Sequence, residues 1–373
     1  VISDLETDQR VRKTCETLVK AGYSVELTGR KGKHSGPLSP TSYPRNRVGA
    51  WFHKNIPFFA EFQCRLLFSL LKGPADLIYA NDLDSLPAAW LAAQLRRVPL
   101  VYDSHEFYTG MPELSESPLK RRIWRSFERF LVPRTQARLT VNESIAQLLQ
   151  EQYGKEFSVL RNLPMAQSLA EPQPTKSRAE LGWPEEAFIM ILQGGGINMQ
   201  RGAEEAIAAL KHLPNHVYLA TIGSGDMFHR LPEIAESLGV RNRLLWHERM
   251  PYKELLACTR LCQLGLSLDK PLSINYRLSL PNKLFDYMQA GVPVLSSDLI
   301  ELRKVLKAYE TGWMLPEVSP TAIAKAVKRR LNDPEGTRLA AENCKIAAKE
   351  LVWEKDAPNL LAQIEQAFSH ARS

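Results

Sequence analysis

Short apolar runs alternate with amphipathic segments in this chain, and the pattern occurs twice; nothing else in the sequence limits the fold as much. Parallel strands need a crossover to return, so this alternation marks parallel sheets flanked by helices. In the first half, strands are predicted at 25–27, 77–80, 100–102, 139–141 and 157–160. Val11, Cys15, Leu18 and Val19 recur at helical spacing, Gly22 closes that helix, and further helices are expected at 85–96 and 143–152. Residues 161–184 hold four prolines and read as a connection between domains with a short capping helix. The alternation then restarts with strands at 188–192, 217–222, 244–246, 264–268 and 292–296, and charged helices follow from Pro320. At 373 residues the chain suits two α/β domains, each with its own core.

Composition narrows the function. Apolar residues are 44% and charged residues 24%, which fits neither disorder nor a membrane-spanning chain. No apolar run approaches the ~18 residues of a spanning helix. Five scattered cysteines, an odd number, point to a reducing compartment and a cytoplasmic setting. Cys258 and Cys262 stand at i, i+4, but no third ligand lies near them in sequence, so core packing is expected. The net charge of +7 suits phosphorylated molecules or an anionic membrane face. Two basic clusters contribute, Lys120-Arg121-Arg122 with Arg125, and Lys325 with Lys328-Arg329-Arg330, and no nucleic-acid motif accompanies them.

Ligands of open α/β sheets bind beyond the carboxyl ends of strands, where helix N-termini converge. After the strand at 188–192 come Gly194, Gly195 and Gly196, then Arg201-Gly202 and a helix. Glycines let a ligand approach the backbone, the helix end offers free N–H groups, and Arg201 suits phosphate. A tight turn is the alternative for these glycines. The next strand ends in Gly223-Ser224-Gly225, a second loop of the same kind. The segment 279–294 then carries Pro281, Asn282, Lys283 and Asp286. Pro281 suits the first helical turn. Lys283 opposes the helix dipole, a conflict that a bound anion resolves, and Asp286 shares its face. A surface ion pair between the two is the bland alternative.

This segment resembles the donor-binding motif of the retaining glycosyltransferases of family 4. Their usual form is Glu-x7-Glu followed by Ala-Met-Ala-x-Gly, and here Asp286 is followed by Tyr287-Met288-Gln289-Ala290-Gly291. The resemblance implies an α/β GT-B fold, two Rossmann-like parallel-sheet domains facing each other across a cleft. It implies an acceptor-binding lobe at 1–165, with the last helix at 351–373 packing back on it, and a donor-binding lobe at 166–350. Asp286 is then expected on the ribose, with Lys283, Arg201 and Gly202 on the diphosphate of a nucleotide sugar. The family's first acidic position falls on Leu278, so Asn275 or Tyr276 is expected to meet the sugar instead. Asp8-Gln9-Arg10-Val11 is similar to the opening of the family's first lobe, whose first strand is expected to be cut short at Val1. Tyr102-Asp103-Ser104-His105-Glu106 is similar to its His-containing catalytic loop, and Arg161-Asn162-Leu163-Pro164 to its interlobe turn. His105 is the catalytic candidate, with Asp103, Glu106 and Asn162 as sugar or acceptor contacts.

Two other acidic features compete for attention. Asp82-Leu83-Asp84 is an Asp-x-Asp triplet, expected to cap the following helix rather than bind a cation. His247-Glu248 lacks the second His of a metalloprotease and is expected to serve its loop. The expected activity is therefore metal-independent hexosyl transfer to a glycan or lipid-linked acceptor, as in cell-envelope polysaccharide or glycolipid synthesis, without a cofactor. The apolar stretch 51–71 with the basic helix near Lys120 suggests peripheral membrane contact. A nucleotide-sugar epimerase of the same fold and a silent nucleotide-sugar-binding subunit are the alternatives.

Overall fold

The computed structural model describes residues 1–6, 8–32, 35–52, 55–111, 114, 117–166 and 176–372. Expected features at His53, Lys54 and residues 167–175 lie outside these. The chain divides into two compact units, Val1–Asn162 with Trp353–Ser373, and Leu163–Val352.

The first unit begins with α1 (Gln9–Lys20), capped by the Asp8 carboxylate, which accepts the Val11 N–H at 3.1 Å. Strand β1 (Leu27–Arg30) pairs in parallel with β2 (Arg45–Val48). Val1 adds to that ladder, its amino group donating to the Thr28 carbonyl at 2.9 Å and its carbonyl accepting the Arg30 N–H at 3.1 Å. Helix α2 (Asn55–Leu70) precedes a parallel sheet of order β3 (Ile78–Asn81), β4 (Leu100–Ser104), β5 (Ala137–Thr140) and β6 (Ser158–Val159). The crossovers run through α3 (Leu86–Arg96), α4 (Pro118–Leu131) and α5 (Glu143–Tyr153). Every residue of β4 is buried, as a parallel strand covered on both faces requires. Strand β2 was absent from the sequence reading because Arg45-Asn46-Arg47-Val48 sits half exposed and has no apolar pattern.

The second unit holds six parallel strands in the order β12-β11-β10-β7-β8-β9. They are β7 (Phe188–Gly194), β8 (Val217–Gly223), β9 (Leu244–Glu248), β10 (Leu264–Ser267), β11 (Val294–Ser297) and β12 (Gly312–Leu315). The helices are α6 (Ala203–Ala209), α7 (Leu231–Ser237), α8 (Tyr252–Thr259), α9 (Ile274–Arg277), α10 (Lys283–Ala290), α11 (Ile300–Tyr309), α12 (Pro320–Leu331) and α13 (Pro334–Glu350). Alternate residues of β7 feed two cores. Met190 and Leu192 pack with Ile207, Phe228 and Ile323, while Ile189 and Ile191 pack with Phe285, Tyr287 and Cys344. Cys258 and Cys262 belong to this second core. Successive strands run outward from β7 in both directions, so the switch point of the sheet lies between β7 and β10.

The chain then returns to the first unit as α14 (Trp353–Arg372). Asp356 receives both guanidinium arms of Arg161 at 2.8 and 2.6 Å, the Trp353 indole donates to Thr17, and Asn359 donates to the Val159 carbonyl.

Candidate functional site

In the second unit the candidate residues gather at the carboxyl ends of β7, β8 and β10. Gly194 and Gly223 stand in register at two strand ends, and their loops are stitched together. Ser224 donates its N–H to the Gly194 carbonyl at 3.1 Å, and Ile197 donates to the Ser224 carbonyl at 2.8 Å. A Cβ on Gly223 would strike the Gly194 carbonyl, and one on Gly225 would strike the Ile197 backbone. These glycines therefore serve the contact between loops. Gly195 has open space around it and Gly196 nearly so, with only the Asn198 amide at 3.7 Å. These two leave the room that a ligand needs.

Gly202 caps α6 with φ +78°, and a Cβ there would collide with Leu268 just after β10. That close approach carries Arg201 to the residue that follows, Asp269. The Arg201 Nε lies 3.6 Å from Asp269 Oδ1, and the Lys283 Nζ lies 3.4 Å from Asp269 Oδ2. Asp269 is 1% exposed, and neither carboxylate oxygen has a hydrogen-bond partner. The contacts are thus Coulombic, and two cations face one anion. Sequence reasoning missed Asp269, since no motif marks a lone acid after a strand. The Arg201 guanidinium also lies 5.1 Å over the Tyr276 ring.

Helix α10 is seated by Tyr287. Its hydroxyl lies 3.1 Å from the Ile191 carbonyl and 3.0 Å from the Leu266 carbonyl, and it accepts the Gln193 N–H at 3.3 Å. One side chain thereby bridges β7 and β10 at the switch point and sets Lys283 and Asp286 above it. Pro281 was expected in the first turn but precedes the N-cap, Asn282, because its carbonyl closes the entry turn on the Leu284 N–H at 3.1 Å. Half-buried Asp286 accepts from the Tyr252 hydroxyl at 2.8 Å and from the Gln193 amide at 3.5 Å. Burial and the neighbouring Asp286 raise the Tyr252 pKa, keeping that hydroxyl a donor. A carboxylate has about four lone-pair directions and so can serve several donors at once. Asn275 is buried within α9, and Leu278 is half-buried.

In the first unit, His105 follows β4. Its Nδ1 lies 3.2 Å from Asp82 Oδ2, and its Nε2 lies 3.2 Å from Asn81 Oδ1 and 3.5 Å from Asp103 Oδ2. Carboxylates of Asp82 and Asp103 lie near the two ring nitrogens, an arrangement that favours the protonated imidazolium. Burial alone would lower its pKa, but the Asp82 and Asp103 charges outweigh burial and raise it from 6.5 to about 9.

Several expectations change here. Asp103 cannot touch a sugar or acceptor directly, because it is fully buried and chelated by Arg10 at 3.0 and 2.6 Å, with the Tyr79 hydroxyl at 2.9 Å. Burial would raise the Asp103 pKa, but Arg10 and His105 hold it below the usual carboxylate range. Asp82 does not cap α3. Its carboxylate accepts the His105 backbone N–H at 2.8 Å, and the N-cap is Ser85, without a side-chain cap bond. Burial, then the charge of Asp82, raises the Asp84 pKa well above normal. No group of three or more His, Cys, Asp or Glu among the described residues is placed to hold a metal ion. Asn162 accepts from Lys13 Nζ at 2.6 Å, and Glu106 is half-buried with its backbone carbonyl taking the Ser104 hydroxyl. His247 and Glu248 are the last two residues of β9 rather than lying in a loop, and His247 accepts from the Trp183 indole at 2.9 Å. Arg10, Tyr79 and Asn81 are functional neighbours that the sequence reading did not single out.

Known proteins share this plan. Residues 7–162 match the family model described as "Glycosyl transferase 4-like domain", and residues 174–350 match "Glycosyl transferases group 1". A D-inositol 3-phosphate glycosyltransferase of Xylanimonas cellulosilytica is 24% identical over 314 residues, 79% of this chain and 73% of that protein. The sucrose-phosphate synthase of Thermosynechococcus elongatus superposes with TM-score 0.79 at 18% identity, covering 97% of this chain and 93% of that one. HepE of Anabaena, solved in complex with UDP-glucose, gives TM-score 0.73 at 16% identity and covers 98% of both chains.

Proposed function

Because this chain belongs to the glycosyltransferases of GT-B fold and family 4 type, we propose that it transfers a hexose from a nucleoside diphosphate sugar to a glycan or lipid-linked acceptor, with retention at the anomeric carbon. The observation that carries the donor reading is the convergence of Arg201 and Lys283 on Asp269, beside the open glycines Gly195 and Gly196. A diphosphate placed there meets two cations and the N-terminal end of α10, while Asp286 accepts from the ribose diol. Asp269 holds both cations in position before the donor arrives. In the reaction the bond between the anomeric carbon and the diphosphate oxygen breaks, the acceptor oxygen bonds that carbon on the same face, and a leaving phosphate oxygen takes the acceptor's proton. The protein's share is electrostatic, namely stabilising charge on the departing diphosphate. We assign His105 the part of a fixed positive charge that acts as the transition state forms. Cell-envelope glycan synthesis is the setting we favour, and no metal is needed.

Calorimetry with uridine, guanosine and adenosine diphosphates tests the donor site, alongside turnover with a mixed acceptor extract. Acceptor-dependent release of the nucleotide is the expected result. Conversion of the nucleotide sugar without an acceptor would replace this reading with an epimerase, and binding without turnover would reduce the chain to a binding subunit.

A further inference from the structure

Helix α4 carries an apolar stripe that the described residues leave largely exposed. Leu119, Ile123, Phe127 and Phe130 are 66%, 39%, 43% and 48% exposed. At about 100° per residue they fall within one arc of the helix. The residues α4 turns inward, Glu128 and Leu131, lie on a different side. Lys120 stands exposed on one flank of the stripe and Arg122 and Arg129 on the other, with exposed Arg125 farther round the helix, and the one acid of the helix, Glu128, is fully buried against the Thr109 hydroxyl at 2.9 Å. The helix is fixed in place rather than loosely attached. Trp124 packs edge-on against Phe59 and Tyr108 at 5.3 and 5.2 Å between centroids, and Phe130 packs against Trp90 at 5.7 Å. On α3, Leu91 and Leu95 add further exposed apolar surface.

We propose that this face of α4 docks on an anionic lipid surface, with the stripe in the headgroup boundary and the flanking cations on lipid phosphates. Charge decides between occupants. A second copy of this chain would set the same flanking cations against one another, whereas an anionic bilayer offers negative charge around an apolar interior. No helix among the described residues is long and apolar enough to cross a membrane, so the contact is interfacial. The proposal deepens the reading of a lipid-linked acceptor given above, since docking would hold the enzyme where such an acceptor lies.

The test is co-sedimentation of the full chain with vesicles of phosphatidylcholine alone and with about one-third phosphatidylglycerol, at low and high salt. Binding should require phosphatidylglycerol and weaken steeply with salt. The Leu119→Ser/Phe127→Ser pair should lower the partition coefficient at least tenfold, and Arg122→Glu/Arg129→Glu by about fivefold or more per cation. Both variants should keep the wild-type melting temperature within a few degrees, since they alter exposed positions. No binding to anionic vesicles at low salt overturns the proposal, as does binding that both variants retain. A concentration-dependent dimer that Leu119→Ser/Phe127→Ser disperses would instead assign the face to a second copy. Calorimetry with nucleotide reads the donor site independently, so failure of docking and failure of the transferase reading are separable.

Discussion

Raising the pH should remove the His105 proton only well above neutrality, and that displacement has a calculable cost. The His105 pKa stands at about 9 in the folded chain, against 6.5 for an ordinary histidine. A raised pKa means that the folded state binds the proton more tightly than the unfolded one. The resulting stabilisation is complete below about pH 6.5 and is lost as the pH climbs through about 9. The 2.5-unit gap between those two values, at 1.36 kcal/mol per unit, corresponds to about 3 kcal/mol. The ring is held deep enough for that figure to stand, its side chain being 18% exposed. Urea denaturation of the wild type and of His105→Gln, compared from about pH 6 to pH 10, isolates the effect, because other titrating groups cancel in the difference. The wild-type advantage should shrink by about 3 kcal/mol across that range. NMR of ring-labelled histidine gives the direct reading, as one resonance should titrate near 9 and vanish in His105→Gln. A His105 resonance that titrates below 7 would refute the protonated imidazolium, and with it the view that His105 is a charge rather than a general base.

Four further outcomes are expected. Lys283→Ala should weaken nucleoside diphosphate binding by one to two decades, for a loss of ~1.5–3 kcal/mol, whereas His105→Ala should leave it within about threefold and lower turnover by ~10²-fold; calorimetry and acceptor assays measure both. Asp269→Asn removes the anion that holds Arg201 and Lys283 in position, so added nucleoside diphosphate should raise its melting temperature by less than it raises the wild type's, and an equal or larger rise counts against the assigned role. Arg10→Met strands the buried Asp103 charge and should cost ~3–5 kcal/mol in urea denaturation, with a loss below 1 kcal/mol contradicting the chelate. Turnover should survive EDTA, and complete loss restored by magnesium or manganese would return Asp82 and Asp84 to consideration.

Much of the architecture was legible because parallel strands buried on both faces leave continuous apolar runs, as at 188–192 and 217–222. Strand β2 was not, since its residues are polar and half exposed, and β12 was missed because its half-buried Gly312-Trp313-Met314 resembles a loop. Within the candidate site, loop position and residue type pointed to Arg201, Lys283 and Asp286, and the family resemblance pointed to His105. Side-chain partners were hidden, because Asp269 meets Arg201 across 68 residues and Asp103 meets Arg10 across 93. Such pairings depend on which strands become neighbours, and no local pattern encodes that. The glycines divide similarly. Their number announced loops, but only packing separates Gly223 and Gly225, which serve contact between loops, from Gly195 and Gly196, which leave space.

The return of α14 to the first unit also sets an order of events during synthesis. Residues Leu163–Val352 leave the ribosome as one uninterrupted stretch and can complete their sheet while the chain is still growing. The first unit, begun earlier, must wait for the last twenty or so residues before Asp356 can meet Arg161 and Trp353 can cover Thr17. Until then, the surface that α14 later covers is exposed to solvent and to chaperones. The part made first is thus the part finished last, and a chain stopped before Trp353 should present a folded second unit tethered to an unfinished first one.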